Sequence, residues 1–99
     1  QLPNIEVCFS VIPEWSGGYI SYARVEHCKY ILVDGEAFWL GTSNAARSYF
    51  HTSRNAGVIV RSTPLAGRLL QIFNQSWESP YAERIDPEAS YAPRRHDGE

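Results

Sequence analysis

His27, Lys29, Ser43 and Asn44 are the side chains of this sequence that could do chemistry together. Their spacing is specific: His-x-Lys, four residues, Asp34, six residues, then Gly41-Thr42-Ser43-Asn44. The set suits a phosphate ester. Lys29 offers a point charge and Asn44 a neutral N–H donor for non-bridging oxygens. His27 could attack phosphorus as a nucleophile or protonate a leaving oxygen. Ser43 could share a hydrogen bond with the imidazole and fix its tautomer. No metal is needed if lysines and amides carry the charge, and the sequence offers no obvious metal cage or other cofactor site. Taken singly, a strand histidine or lysine is usually structural, and Asp-Gly is only a turn. The joint pattern supports a site.

A hairpin is the element that must gather these groups. The stretch 24–33 is rich in branched and aromatic residues, and 36–42 reads as the returning strand. Asp34-Gly35 between them is a strong two-residue turn signal. With that turn, Val33 would pair with Glu36, Lys29 with Leu40 and His27 with Thr42. His27 and Lys29, two apart, would share a face. A bulge would shift this register by one residue.

Around the hairpin, 4–12 alternates as a strand, with Ile5, Val7, Phe9 and Val11 on one side. The loop 14–22 holds Gly17-Gly18 and the aromatics Trp15, Tyr19 and Tyr22, which either pack on their own domain or wall a cleft. The stretch 44–55 is variable. A short apolar strand at 56–61 precedes a helix capped by Thr63, with Pro64 at its first position, running to about Trp77. Leu65, Leu69, Ile72 and Phe73 form the stripe of a helix lying on a sheet. Ser79-Pro80 ends it. The residues 87–99 read as a polar, extended tail.

The bulk composition is that of a small soluble domain. The 99 residues are 43% hydrophobic and 20% charged, with a net charge of −2. No global positive field is available to hold nucleic acid non-specifically, so a phosphate ligand needs a local cluster of donors. No apolar run approaches the ~20 residues of a membrane span, and no signal peptide is visible. The abrupt start at Gln1 reads as a fragment whose N-terminus lies upstream. Cys8 and Cys28 both fall in strand-like segments and read as small core residues.

The pattern His27, Lys29, Asp34, Gly41, Ser43, Asn44 resembles the signature of the phospholipase D superfamily, the HKD motif. The likeness spans about residues 4–86. Within it, ISYARVEHCKYILVDGEAFWLGTSNAARSYF (Ile20 to Phe50) and QSWESPYAERID (Gln75 to Asp86) resemble the branch with the lysosomal single-strand exonucleases. The resemblance implies an α/β fold. Residues 1–86 would be the C-terminal part of a phospholipase D/nuclease-like lobe, with a mixed sheet and a C-terminal helix packed on it. Two such lobes share one site in this family, each giving one HKD motif, and the reaction passes through a phosphohistidine. By that likeness His27 would be the acid that protonates the leaving group. Lys29 and Asn44 would bind phosphate, and Asp34 would be an orienting residue of the turn. The partners implied are a phosphodiester substrate, nucleic-acid strand or phospholipid, and a second HKD lobe in the same chain or a second copy.

Three departures stand out. Ala45 replaces the usual Trp after the motif asparagine. Gly57, after Arg54-Asn55-Ala56, stands where many single-motif nucleases carry a supporting Glu. Only one motif is present, since neither His51 nor His96 has an accompanying lysine. The alternatives are a single-motif homodimer and a catalytically inert interaction domain.

Overall fold

The turn at Asp34-Gly35 organises the best-defined part of the fold. In the computed structural model, which describes residues 3–92, both residues take the left-handed conformation, with φ of 53° and 67°. A two-residue type I′ turn requires this. The Glu36 N–H closes it on the Val33 carbonyl at 3.0 Å. The turn joins β1 (Lys29–Val33) to β2 (Ala37–Gly41), and a third strand, β3 (Gly57–Arg61), pairs with β2 to give a three-stranded antiparallel sheet.

The register differs from the expected one by a single residue. Val33 pairs with Ala37 and Lys29 with Gly41, so Glu36 is the extra residue. Its carbonyl accepts from the Ser62 N–H at 3.1 Å, continuing the β2–β3 pairing beyond Ala37–Arg61. Glu36 thus bonds both ways, its N–H closing the turn on Val33 and its carbonyl serving the third strand. A one-residue slip exchanges which faces meet. Lys29 therefore lies opposite Gly41 rather than Leu40. Its face of the sheet holds Ile31, Val33, Ala37, Trp39 and Ile59, while Tyr30, Leu32, Phe38, Leu40, Val58 and Val60 hold the other. The first strand is also shorter than expected, starting at Lys29 rather than at residue 24.

A short helix, α1 (Arg47–His51), interrupts the stretch expected to be irregular, and α2 (Thr63–Trp77) follows the third strand. The cap of α2 lies one residue earlier than expected. The Ser62 hydroxyl accepts from the Leu65 N–H at 3.3 Å, and the Ser62 carbonyl accepts from Ala66 at 2.8 Å. The helix stripe is not buried as core. Leu65 is 56% exposed, Ile72 and Phe73 are also exposed, and Ala66 alone among the described residues is a fully buried hydrophobic. Length contributes to this: a fifteen-residue helix runs about 22 Å, while five-residue strands run about 16 Å.

His27–Gln75 forms one compact unit, and the flanking segments, up to Glu26 and from Ser76, form another. In the flanking unit, Cys8–Ser10 pairs antiparallel with Ala82–Arg84. The first strand expected over 4–12 is thus three residues long, although the Val11 N–H to the Tyr81 carbonyl (2.7 Å) and the Ile85 N–H to the Val7 carbonyl (3.3 Å) extend the ribbon. Two strands alone are marginal in water. Edge-to-face packing of Phe9 on Tyr91, 5.3 Å between centroids, and Arg84 over the Trp77 ring at 5.6 Å reinforce them. Trp15, Tyr19 and Tyr22 of the loop are exposed.

Every strand pairing among the described residues is antiparallel, so the sheet expected to be mixed is replaced by two antiparallel ones. No helix there is long and apolar enough to cross a membrane. Both cysteines are free. Cys8 is half-buried, but Cys28 is exposed and so is not the core residue expected. His96 lies outside the described residues.

Candidate active site

Lys29 is the first residue of β1, and the exposed His27 precedes it by two. The Lys29 Nζ donates to the His27 carbonyl at 2.7 Å. Opposite Lys29, Gly41 ends β2, and Thr42-Ser43-Asn44 continue from there, with Ser43 and Asn44 half-buried. The imidazole, the ammonium and the Ser43-Asn44 pair therefore belong to one end of one hairpin. The pairing ends at Lys29–Gly41; were its register continued, His27 would fall across from Ser43 rather than Thr42. No hydrogen bond joins Ser43 to His27 among the described residues.

Asp34 lies at the other end of the same hairpin. Asp34 is five residue steps along the strand from Lys29, about 17 Å at the usual rise. Its side chain cannot reach a ligand held by Lys29. Its observed part is conformational, a φ of 53° that aspartate tolerates better than most residues. His51 is exposed in the last turn of α1.

Two features at this end of the hairpin had no signal in the motif. The first is Trp39, half-buried and on the Lys29 face. Gly41 and Gly57 pair directly across β2 and β3, and the Trp39 indole lies over both. A Cβ on Gly57 would stand 2.6 Å from the indole Nε1. A Cβ on Gly41 would meet the indole ring and stand 3.1 Å from the Ala56 carbonyl oxygen. Gly41→Ala is therefore expected to lower stability by about 1–3 kcal/mol through overpacking. Urea unfolding measures this; an unchanged midpoint would mean that the indole moves aside freely.

The second feature is the closure of the loop between Thr42 and Ala56. The Thr42 N–H donates to the Ala56 carbonyl at 3.0 Å, and the Ala56 N–H donates to Thr42 Oγ1 at 3.1 Å. Thr42 Oγ1 donates to Asn55 Oδ1 at 3.0 Å. Asn55 Nδ2 donates to the Tyr49 carbonyl at 2.7 Å and to Ser53 Oγ at 3.0 Å. Thr42 sits inside the motif, but Asn55 has no sequence spacing that marks it.

Residues 10–77 match the family model described as "Cardiolipin synthase, PLD-like domain", which covers both the hairpin and this loop. The chain belongs to the phospholipase D-like family. Among curated relatives, this phospholipase D-like chain is 34% identical over 86 residues to phospholipase D Y of Dictyostelium discoideum. It is 33% identical over 90 residues to the 5'-3' exonuclease PLD3 of Rattus norvegicus, and 29% identical over 94 residues to the 5'-3' exonuclease PLD4 of Homo sapiens. These alignments cover 86%, 87% and 87% of the chain but only 19%, 18% and 18% of the relatives. It thus lies near the exonuclease branch of the superfamily and spans about a fifth of the length of the relatives it matches.

Two of the three family departures have local settings. At Gly57 a supporting glutamate would collide with the indole of Trp39 in its present position. Ala45, exposed, immediately precedes the Ala46 cap of α1.

Proposed function

We propose that this chain supplies one HKD half-site of a phosphodiesterase. His27 is the proton-transfer group, and Lys29 and Asn44 hold the phosphate oxygens. The observation that carries the reading is the Lys29–Gly41 pairing, which sets the His-x-Lys end of β1 beside Ser43-Asn44 at the end of β2.

In the proposed reaction a histidine of a second HKD motif attacks phosphorus. A P–N bond forms and the bond to the leaving oxygen breaks, while His27 gives that oxygen its proton. Water then attacks the phosphohistidine, His27 takes a proton from it, and the P–N bond breaks. Lys29 offsets the negative charge spread over the non-bridging oxygens. A single imidazole cannot be nucleophile and leaving-group acid in one step, so a second motif is required, from elsewhere in the same protein or from a second copy. The uncovered apolar side chains on the Lys29 face, Ile31 at 62% and Ile59 at 74%, are consistent with a partner surface there.

The test is cleavage of bis(p-nitrophenyl) phosphate by the full-length protein with EDTA present. Turnover is expected to persist in EDTA, and complete loss would sink the mechanism. The isolated 99-residue chain is expected not to turn over as a monomer; turnover there would refute the half-site. The relatives' names include both phospholipase D and 5'-3' exonuclease. Parallel assays on single-stranded DNA and phosphatidylcholine therefore decide the substrate class, with the nucleic-acid strand expected.

A further inference from the structure

The loop 43–54 presents Ser43 and Asn44, and its two ends meet in the hydrogen-bond cluster centred on Thr42 and Asn55. We propose that Asn55, acting through the Thr42 hydroxyl, is a positioning residue that fixes the backbone from which Asn44 reaches the phosphate. This rests on the phosphodiesterase reading of the site.

The chemistry of the cluster fixes the orientation of the Asn55 amide. The Tyr49 carbonyl can only accept, so the Asn55 amide nitrogen must face it, and the amide oxygen is left to face Thr42. The Thr42 hydroxyl then faces Asn55 Oδ1 as its nearer acceptor at 3.0 Å, with the Ala56 carbonyl a longer one at 3.3 Å, and accepts from the Ala56 N–H. Each polar group is both held and holding. Asn55 also ties the end of α1 to the ladder, because Tyr49 lies in that helix and Ser53 just beyond it. Thr52, whose hydroxyl donates to the Ser48 carbonyl at 2.8 Å, tightens the same turn. A loop of this length has many open conformations. The cluster removes them at the point next to Ser43 and Asn44, and catalysis is sensitive to misplacements of about 1 Å.

The test compares Thr42→Val, Thr42→Ser and Asn55→Asp in the full-length protein. Valine keeps the shape and removes the hydroxyl, and serine keeps the hydroxyl. Aspartate keeps the acceptor for Thr42 and loses the donors to Tyr49 and Ser53. Thr42→Val and Asn55→Asp are expected to lower kcat for bis(p-nitrophenyl) phosphate by about 10²-fold with KM nearly unchanged. Thr42→Ser is expected to restore most of the rate. Amide hydrogen exchange over residues 43–55 should quicken in Thr42→Val and not in Thr42→Ser.

Wild-type kcat in Thr42→Val and Asn55→Asp, no rescue by serine, or unchanged exchange would each overturn the proposal. A wild-type protein that cleaves no phosphodiester overturns the functional reading instead. The exchange measurement needs no substrate and still decides whether the cluster holds the loop.

Discussion

His27→Ala is expected to lower kcat for a phosphodiester by about 10²–10⁴-fold, the range supplied by a positioned proton donor and acceptor. The effect falls on both halves of the proposed reaction, because the same imidazole protonates the leaving oxygen and later takes the proton from water. Stability should hardly change. The His27 side chain is exposed and precedes the first strand, and exposed substitutions of this kind usually stay within about 0.5 kcal/mol. A substrate whose leaving group needs no proton, such as p-nitrophenolate, should lose less than one with an alkoxide leaving group. An unaltered kcat on both substrates, with the protein folded, would remove His27 from the chemistry.

The second large effect is expected at Lys29. Lys29→Met keeps the aliphatic stem and deletes the charge, and kcat should fall by about 10²–10³-fold, as for loss of a donor to developing charge. The ammonium is not idle in the present structure, since it donates to the His27 carbonyl at 2.7 Å. It has three donors, so it can keep that bond and still offer two to phosphate oxygens. That bond therefore leaves the ammonium donors for the phosphate-binding role proposed for it. Lys29→Arg should restore little, because a planar fork cannot occupy the place of a compact charge beside the strand backbone. Parallel kinetics of the three proteins decide this; equal rates for wild type and Lys29→Met would dismiss the phosphate-binding role.

The parts of the site that were legible in the sequence are those governed by local rules. Asp34-Gly35 demands positive φ at both positions, and both adopt it. The return strand follows from the turn that precedes it, and β3 from its run of branched residues. The helix after residue 62 was expected from its start signal and periodic pattern, and its end at Trp77 coincides with the expected one. Its cap was misplaced by one residue because Ser62 and Thr63 both carry a hydroxyl. Pro64 favours Thr63 as the cap by local chemistry, but Ser62, which already ends the ladder against Glu36, takes that role.

Other features depend on groups distant in sequence. The network at Asn55 joins residue 42 to residue 55 across a loop that lacks sequence periodicity. Only the closure of the β2–β3 ladder brings Asn55 next to Thr42. The flat seat of Trp39 depends on Gly41 and Gly57 being partners, sixteen positions apart in the sequence, and nothing in either local segment states that pairing. The apolar stripe of α2 is visible in the sequence. Its burial is not, because burial requires a surface large enough to cover it.

The sequence by itself determined the turn that folds the hairpin and the family to which the chain belongs, and it offered the residues of the candidate site. Each depends on residue type and short spacing, which the chain carries directly. The tertiary structure decided the register. Glu36 keeps its N–H on the Val33 carbonyl but turns its own carbonyl to the Ser62 N–H, and the one-residue shift at Glu36 places Lys29 across from Gly41 with Trp39 on its face. A hairpin examined alone would pair from the turn outward. The third strand competes for the same backbone groups, and a one-residue change in that competition decides which side chains share the face of Lys29.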